Sequence, residues 1–209
     1  MDKNISIITN FGCRAKCWYC IWKGHELQHV NAPTDWNKLE QFLVDNQPKG
    51  KVSISGGGDP LYKYKENEDW WNKLFDITNR LNMLVDVHTR EKFIDREFWS
   101  KINRCVFSSD HPLDDLWYLN NISGLVKLRI THLVTNHTTF EMIGQYLDFV
   151  NETGIYCPVC QFTIKQLIGY NDGGKYEMIK KALPNIYHLD AGDYNIYYMP
   201  DNTIRSSFL

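Results

Sequence analysis

Two kinds of hydrophobic pattern alternate along the chain. Short runs rich in β-branched and aromatic residues predict strands, and each is followed by a stretch in which apolar residues recur every three to four positions, as on the buried face of a helix. Six strands are predicted, at Ile5–Thr9, Val52–Ser55, Leu84–His88, Arg104–Ser108, Val126–Val134 and Tyr156–Ile164.

Helical patterns lie between and after these strands. They predict helices over Asp35–Asp45, Glu68–Leu81, residues 95–102, Thr138–Glu152 and Lys175–Leu183. In the second of these helices, Trp70, Leu74 and Ile77 belong to one apolar stripe. The residues from Thr138 to Glu141 fit a capping box at the start of the fourth. A terminal β-hairpin or edge element is predicted over residues 194–204.

Strands separated by helices predict a parallel sheet with right-handed crossovers. Six units are too few to close an eight-stranded barrel, so the predicted fold is α/β, a partial (β/α)6 TIM-like barrel with an open side. Residues 1–165 would form the core of this barrel. Residues 166–209 would form a C-terminal helix and strand extension that completes or caps it.

Polar clusters follow the first four predicted strands directly. Three cysteines follow the first, Gly56–Pro60 the second, His88–Arg90 the third and Ser108–Asp110 the fourth. In parallel α/β folds the ligand chemistry lies at the carboxyl ends of the strands. The four clusters are therefore expected at one edge of the sheet. Asp110, His111, Asp114 and Asp115, in contrast, are predicted to form a solvated polar loop with a helix cap near Pro112 or Asp114.

The three cysteines near the N-terminus are candidate metal ligands. Cys13, Cys17 and Cys20 have the spacing C-x3-C-x2-C. Three thiolates on one short loop can each bind one iron of a [4Fe–4S] cluster, which leaves the fourth iron without a cysteine. An open coordination position is typical of a catalytic metal site, whereas structural sites are usually closed. Arg14 is expected to offset part of the negative charge of such a cluster.

A zinc site is the alternative interpretation of the same cysteines. His25 or His29 would be the fourth ligand of a zinc knuckle, and Cys157 with Cys160 would supply a second pair with C-x2-C spacing. A non-catalytic zinc- or cluster-binding module therefore stays open at this point. Cys105 lies in an apolar strand, where a buried thiol is expected.

The cysteine motif resembles that of the radical S-adenosylmethionine (SAM) superfamily, and Tyr19 stands at its usual aromatic position. The resemblance implies that Tyr19 packs near the adenine of SAM. Gly57, Gly58 and Asp59 resemble the Gly-Gly-Glu-Pro segment of the family, with Asp in place of the usual Glu. In the family the backbone of this segment binds the SAM amino group. A glycine-rich turn allows such a close approach of backbone to ligand.

Two weaker matches extend the resemblance over residues 5–165. Ser108 begins a Ser-x-Asp sequence like the one that contacts SAM in the family. Lys127, Arg129 and Thr131 share one face of the fifth strand. A polar residue from this strand commonly contacts the SAM carboxylate or ribose in the family, and Arg129 is the candidate because guanidinium pairs well with carboxylate.

The resemblance implies an enzyme with a [4Fe–4S] cluster and SAM as cofactors. SAM would be cleaved reductively to a 5′-deoxyadenosyl radical, which abstracts hydrogen from a peptide, protein or small-metabolite substrate that the sequence does not identify. The implied partner is a flavodoxin- or ferredoxin-like electron donor. A glycyl-radical-enzyme activating enzyme is the more specific alternative.

Composition and charge agree with an ordinary soluble globular protein. Of the 209 residues, 43% are hydrophobic and 23% charged, and the net charge is −2. Without a basic face, the chain offers no evidence for non-specific nucleic-acid binding. It has no apolar run long enough for a membrane span and no signal-peptide pattern at its start. A cytoplasmic location is therefore expected, where its 6 cysteines would not form disulfides.

Overall fold

The structure is a computed structural model of the chain. It describes residues 4–15, 17, 20, 32–109, 112–153, 161–167, 170–189 and 195–207, without the side chains of residues 112–114 and 153. Tyr19, Cys157 and Cys160 lie outside the described residues, as do His25 and His29 and the first part of the predicted sixth strand.

The chain forms two compact units. The first comprises Met1–Phe93, Lys101–Asn103 and Asp193–Leu209, and the second comprises Ile94–Ser100 and Arg104–Gly192. Each unit is therefore built from segments that are distant in sequence. Strands and helices alternate within both units.

The first unit contains a mostly parallel sheet. Its described strands are β1 (Asn4–Thr9), β2 (Lys51–Gly56), β3 (Leu84–Thr89), β8 (Asn195–Tyr198) and β9 (Ile204–Arg205). They lie side by side in the order β3-β2-β1-β8-β9, and only the last pair is antiparallel. Because β1 has neighbours on both sides, its residues after Asn4 are all buried, which explains its continuous apolar pattern.

Two α-helices of the first unit follow the predicted pattern. They are α1 (Trp36–Asp45) and α2 (Glu68–Arg80), with short 3-10 turns at Gln47–Lys49 and Tyr64–Asn67. The side chain of Asp35 caps α1 by accepting a hydrogen bond from the backbone N–H of Lys38 at 3.1 Å. In α2 the fully buried tryptophan is Trp71, whereas Trp70 of the predicted stripe is only partly buried.

The predicted C-terminal hairpin is confirmed and also extends the sheet. Tyr198 of β8 lies opposite Ile204 of β9 in an antiparallel pair. On its other side β8 runs parallel to β1, with Asn4 opposite Asn195. The hairpin is thus an edge element of the first unit, next to the strand that leads into the cysteine loop.

The second unit contains four described strands, all parallel to their neighbours. They are β4 (Arg104–Ser109), β5 (Lys127–Leu133), β6 (Gln161–Lys165) and β7 (Tyr187–Leu189), in the order β7-β6-β5-β4. Its helices are α3 (Arg96–Ser100), α4 (Pro112–Ser123), α5 (Phe140–Thr153) and α6 (Lys175–Ala182).

Helix α4 begins at Pro112, and the sequence predicted a helix cap near Pro112 or Asp114. Asp114 and Asp115 therefore lie in a helix rather than in the predicted polar loop. Proline suits the first turn of a helix because the amide it lacks would have no partner there, and acidic residues are favourable near the positive end of the helix dipole. Asp115 is 5% exposed and accepts a hydrogen bond from the Ser109 hydroxyl at 2.5 Å. The loop-like composition therefore marks the beginning of a helix.

The start of α5 differs from the predicted capping box by one residue. Thr139 is the cap, since its hydroxyl accepts a hydrogen bond from the backbone N–H of Met142 at 3.2 Å. The hydroxyl of Thr138 lies instead 3.0 Å from Nε2 of the buried His132, whose Nδ1 lies 3.1 Å from the carbonyl oxygen of Ser109. His132 therefore links two strands to the start of the helix.

The α/β class and the open, mostly parallel sheet predicted from the sequence are confirmed, and the strands and helices are consistent with the predicted partial barrel. In the part of the chain that the structure describes, no helix is both long and apolar enough to cross a membrane.

Candidate functional site

The three predicted iron ligands lie on one loop of the first unit. This loop follows Thr9 at the end of β1 and is called the cysteine loop, residues 10–20. Cys13, Cys17 and Cys20 are all free thiols; Cys13 is exposed and the other two are partly buried. The backbone N–H of Cys20 donates to the carbonyl of Cys17 at 3.3 Å, which places these two residues in one turn.

The glycine turn after β2 lies directly against the start of the cysteine loop. Gly57 donates its N–H to the carbonyl of Thr9, and Asp59 donates its N–H to the carbonyl of Gly12, both at 2.8 Å. A Cβ added to Gly58 would lie only 2.3 Å from the carbonyl oxygen of Gly12. Gly58 is therefore required for the contact between the two backbones. The structure brings the two predicted motifs together, and their contact with a cofactor stays a prediction.

Asp59 joins this glycine turn to the end of β3 through a buried carboxylate. Its Oδ1 accepts hydrogen bonds from the Leu61 N–H at 2.9 Å and the Thr89 hydroxyl at 2.7 Å. Its Oδ2 accepts from the N–H groups of Arg90 at 2.6 Å and Glu91 at 3.2 Å. A carboxylate has about four acceptor positions. Because each oxygen already binds two protein donors, the geometry favours a positioning role for Asp59.

Burial also raises the pKa values of the acidic groups around this turn. Desolvation raises the pKa of the Asp59 carboxyl above its ordinary value, and the hydrogen bonds to it oppose the shift. The pKa of Glu91 is raised by desolvation and then by Asp59, while Arg14 opposes the shift through an ion pair at 2.7 Å. The guanidinium of Arg14, expected from the sequence to offset cluster charge, is thus paired with a protein carboxylate.

Two of the cysteine sulfurs have polar neighbours. Nη1 of Arg90 donates to Sγ of Cys17 at 3.3 Å, so a cation is already placed beside one sulfur. Sγ of Cys13 accepts a hydrogen bond from the Ala15 N–H at 3.3 Å. Desolvation raises the pKa of the Cys13 thiol, the Ala15 N–H lowers it, and nearby carboxylates raise it further.

The third cysteine packs on the sheet itself. Cys20 contacts a buried cluster made of Ile8, Tyr197 and Met199, so it lies against β1 and the β8 hairpin. Among the described residues, no three His, Cys, Asp or Glu side chains are close enough together to bind a metal ion. The donor set nevertheless fits an iron–sulfur cluster: three free thiols share one loop, and a guanidinium offsets charge at one sulfur.

In the second unit, Ser108 belongs to a row of hydroxyl groups. Ser108 lies opposite Thr131 in the β4–β5 register, and Thr131 lies opposite Thr163 in the β5–β6 register. The hydroxyls of Thr131 and Thr163 are buried and have no hydrogen-bond partner among the described residues. Orphaned buried hydroxyls cost stability unless a ligand or water satisfies them. The sequence placed Thr131 on the same face of β5 as Arg129 but did not single it out.

Arg129 lies two residues before Thr131 on the same face of β5. Its Nη2 donates to Oε1 of Gln161 at 3.1 Å, and its guanidinium lies 5.4 Å from the ring centre of Tyr187. Its predicted contact with the SAM carboxylate stays a prediction, as does that of Ser108. The predicted adenine contact, Tyr19, lies outside the described residues.

The residues that hold the glycine turn in place were predicted from the sequence only as substrate-facing or structural residues at the end of the third strand. Thr89 and Arg90 belong to the polar cluster at the end of β3, and only their position at that edge distinguished them. Their partners lie about thirty residues earlier in the chain, since 30 positions separate Thr89 from Asp59 and 31 separate Arg90 from it. Their contribution therefore depends on the parallel pairing of β2 with β3.

Comparison with known proteins finds similarity in structure and none in sequence. No protein-family model and no curated protein matches the chain. The structure resembles that of the hexahistidine-tagged protein anSMEcpe with bound AdoMet, at 15% identity and a TM-score of 0.59, over 98% of this chain and 74% of that chain.

Two further solved structures are more distant. Coproporphyrinogen III oxidase (HemN) from Escherichia coli, a radical SAM enzyme, is 13% identical with a TM-score of 0.48, over 78% of this chain and 44% of that one. BtrN in complex with AdoMet and 2-DOIA is 13% identical with a TM-score of 0.39, over 100% of this chain and 74% of that one. The protein therefore shares the fold of anSMEcpe.

Proposed function

We propose that the protein is a radical SAM enzyme that binds a [4Fe–4S] cluster through Cys13, Cys17 and Cys20. The observation that carries the proposal is the backbone contact of Gly58 with Gly12, because it joins the cysteine loop to the glycine turn. The likeness in fold to a structure with bound AdoMet supports the same class.

The chemistry that such a cluster supplies when bound is one-electron cleavage of SAM to a 5′-deoxyadenosyl radical, which abstracts hydrogen from a substrate. The chain's own residues bind and position the reacting groups. Three thiolates would bind three irons, and the backbone of Gly57 and Gly58 would receive the amino group of SAM. Arg90 would offset negative charge at Cys17, and Asp59 would keep the glycine turn in place.

Ser108, Thr131 and Arg129 are further proposed polar contacts of SAM. The hydroxyl row of Ser108 and Thr131 suits a ribose or a carboxylate, since each hydroxyl can donate as well as accept. Arg129 is the proposed carboxylate partner if its guanidinium turns from Gln161. Tyr19 is the proposed neighbour of the adenine.

The proposal includes a small electron-transfer protein of the flavodoxin or ferredoxin kind as the reductant. Cytoplasmic reducing conditions would keep the cysteines available as ligands. The substrate class is open between peptides, proteins and small metabolites. Activation of a glycyl-radical enzyme is the alternative in which the substrate is a partner protein.

Anaerobic reconstitution with iron and sulfide tests the proposal directly. We expect a brown protein with about four irons per chain, and reduction should convert added SAM to 5′-deoxyadenosine. Cys17→Ala should abolish both signals, because one thiolate ligand is lost. Cys105→Ala is the matched control, since Cys105 is a buried thiol of β4 in the second unit.

A colourless protein that retains one zinc per chain would overturn the proposal and favour the zinc-binding module. Full iron content in Cys17→Ala would show that iron is bound without the cysteine loop. Circular dichroism of each variant separates loss of the ligand from loss of the fold.

A further inference from the structure

A cavity of about 320 Å³ lies beside the carboxyl end of β1 in the first unit. It is called the β1 cavity. Its walls are residues 7–11, residues 32–34 before α1, Trp70 of α2, and residues 198–200 and 202 of the β8–β9 hairpin. These walls contain no predicted iron ligand and none of the residues proposed to contact SAM. The β1 cavity is therefore a candidate site of its own.

The β1 cavity is large enough for a molecule of two fused rings. An apolar cavity of about 150 Å³ binds benzene, and the β1 cavity has about twice that volume. Its residues Ile8, Tyr198 and Met199 are almost completely buried, whereas Ala32 and Pro33 are exposed. A ligand can therefore enter from solvent beside residues 32 and 33 and reach buried apolar groups, as in most small-molecule sites.

Two aromatic rings belong to the walls of the β1 cavity. Phe11 and Trp70 lie edge to face, with ring centroids 5.2 Å apart. Trp70 is held in place because its Nε1 donates to the Thr34 hydroxyl at 2.9 Å and because Trp36 packs on it with ring centroids 5.8 Å apart. Aromatic rings pack favourably on other rings in edge-to-face and offset arrangements. These walls therefore favour a planar aromatic ligand.

The polar groups of the walls are neutral. No lining residue carries a charged side chain, and the structure describes all of the lining residues. The N–H of Trp70 is used by Thr34, and the hydroxyl of Tyr198 is bonded to Asn202 at 2.8 Å. The hydroxyl oxygens of Thr34 and Tyr198 still have acceptor capacity. Because burial of an ionised group without a counter-charge is costly, the walls favour a neutral ligand that donates a hydrogen bond.

We propose that the β1 cavity binds a neutral heteroaromatic molecule of two fused rings with a ring N–H, of which indole is the simplest example. The rings would pack on Phe11 and Trp70. The ring N–H would donate to the hydroxyl oxygen of Thr34 or Tyr198. This inference goes beyond the proposed function, because it needs neither the cluster nor SAM.

A ligand in the β1 cavity would contact the end of the strand that leads into the cysteine loop. Thr9 and Asn10 line the cavity, and the carbonyl of Thr9 accepts the N–H of Gly57. Opening of this hydrogen bond moves the end of β1, and a bound ligand opposes that movement. Binding should therefore slow hydrogen exchange of the Gly57 amide.

Equilibrium dialysis of the full chain with indole tests the inference. We expect a dissociation constant of about 1 mM or lower, which lies within the limit for so small a ligand. Indole-5-carboxylate has the same rings with a charge, and it should bind about tenfold more weakly or worse because no cationic side chain lines the cavity.

Ala32→Trp places a large side chain at the exposed side of the cavity. It should fill the space and weaken indole binding by about tenfold or more. The matched control is Ala182→Trp, which adds the same side chain at an exposed position of α6 in the second unit and should leave the affinity unchanged. If Ala32→Trp does not fold, then Phe11→Leu removes an aromatic ring from the walls and should weaken binding by about threefold.

Hydrogen exchange locates the bound indole. At an indole concentration of about ten times the dissociation constant, the Gly57 amide should exchange about tenfold more slowly. The Val134 amide, which is bonded to Lys165 in the second unit, should exchange at the same rate with and without indole.

Three results would overturn the inference: no measurable binding of indole by the wild type, equal affinity for indole and its carboxylate, or equal loss of affinity in Ala32→Trp and Ala182→Trp. None of these measurements depends on iron. If indole binds as expected and no cluster forms, then the cavity site stands and the proposed chemistry is wrong. If SAM is cleaved and indole does not bind, then only the cavity site is wrong.

Discussion

At Gly58 the backbones of two loops approach more closely than any side chain would permit. A Cβ there would lie 2.3 Å from the carbonyl oxygen and 2.8 Å from the carbonyl carbon of Gly12. Both neighbouring atoms are backbone atoms, so the clash cannot be relieved by a side-chain rotation. Any larger residue must move the start of the cysteine loop.

We therefore expect Gly58→Ala to lower the affinity for the cluster's iron by about tenfold or more, as with other residues that position metal ligands. Iron content after anaerobic gel filtration measures this. Gly124→Ala is the matched control, because its added Cβ meets nothing within 4 Å. Full iron content in Gly58→Ala would show that the contact between the loops is dispensable.

The sequence identified residue types at the site better than their partners. Cys13 and Gly58 could be predicted because their motifs are local and their chemistry is specific. The role of Asp59 could not, because its donors Thr89 and Arg90 lie on the next strand. For the same reason Arg129 was chosen before Thr131, although Thr131 lies level with Ser108 in the sheet.

Elements with continuous hydrophobic patterns were predicted most closely. β1 has the expected type and nearly the expected ends because it is buried as one apolar run, and α1 because its apolar residues recur on one buried face. For α4 only a helix cap near Pro112 or Asp114 was predicted, because its first turn is polar. β7 was missed because it is a strand of only 3 residues at the edge of its sheet.

The β8–β9 hairpin is hydrogen-bonded to the residue that precedes α1. The hydroxyl of Tyr198 lies 3.0 Å from the carbonyl oxygen of Asp35 and 2.8 Å from Oδ1 of Asn202. The same Asn202 oxygen accepts the N–H of Asp35 at 2.9 Å. Desolvation, with a smaller contribution from Asp35, raises the pKa of Tyr198 to about 12.

We expect Tyr198→Phe to lower the free energy of unfolding by about 1 kcal/mol at neutral pH, the usual net value of a hydrogen bond. The folded pKa is the higher one, because an unfolded tyrosine titrates near its model value of 10.0. The extra stability of the wild type over Tyr198→Phe is therefore fully present below pH 10 and is lost as the pH rises from about 10 towards about 12.

Urea denaturation of both proteins at neutral and at alkaline pH measures this difference. Tyr187→Phe is the control, because it removes a tyrosine hydroxyl from a residue that is 55% exposed. If the difference in unfolding free energy between the wild type and Tyr198→Phe stays constant across the alkaline range, the expected pH dependence is contradicted.

At the scale of the whole molecule, the sequence indicated the fold class and not the two compact units. Residues 101–103 and 193–209 belong with the first unit although the chain between them belongs to the second. The composition of the chain does not change where it passes from one unit to the other, because strand pairing and not a linker defines the units. The predicted core over residues 1–165 and extension over 166–209 stays a prediction.

Cluster loading should stabilise the first unit, because a ligand that binds only the folded state adds its binding free energy to stability. We expect hydrogen exchange of the Gly57, Asp59 and Cys20 amides, which are bonded within this unit, to slow by about a hundredfold on loading, as for a ligand at about 100 times its dissociation constant. The Val134 amide, bonded to Lys165 in the second unit, should change less.

Mass spectrometry of exchanged peptides from loaded and unloaded protein measures this difference. Cys17→Ala carried through the same reconstitution should show no slowing. Uniform slowing across both units, or none in the loaded wild type, would contradict a local effect of the cluster.

β1, the strand that leads into the cysteine loop, is synthesised long before its neighbour β8. Asn4 to Ile7 of β1 lie opposite Asn195 to Tyr198 of β8, so nearly the whole chain separates the two partners. A contact of such long range forms late in folding. Until Tyr198 has left the ribosome, one edge of β1 has no partner from β8, and the surface on which Cys20 packs is incomplete. If the cysteine loop binds a cluster as proposed, we expect metallation to follow translation of the C-terminal hairpin.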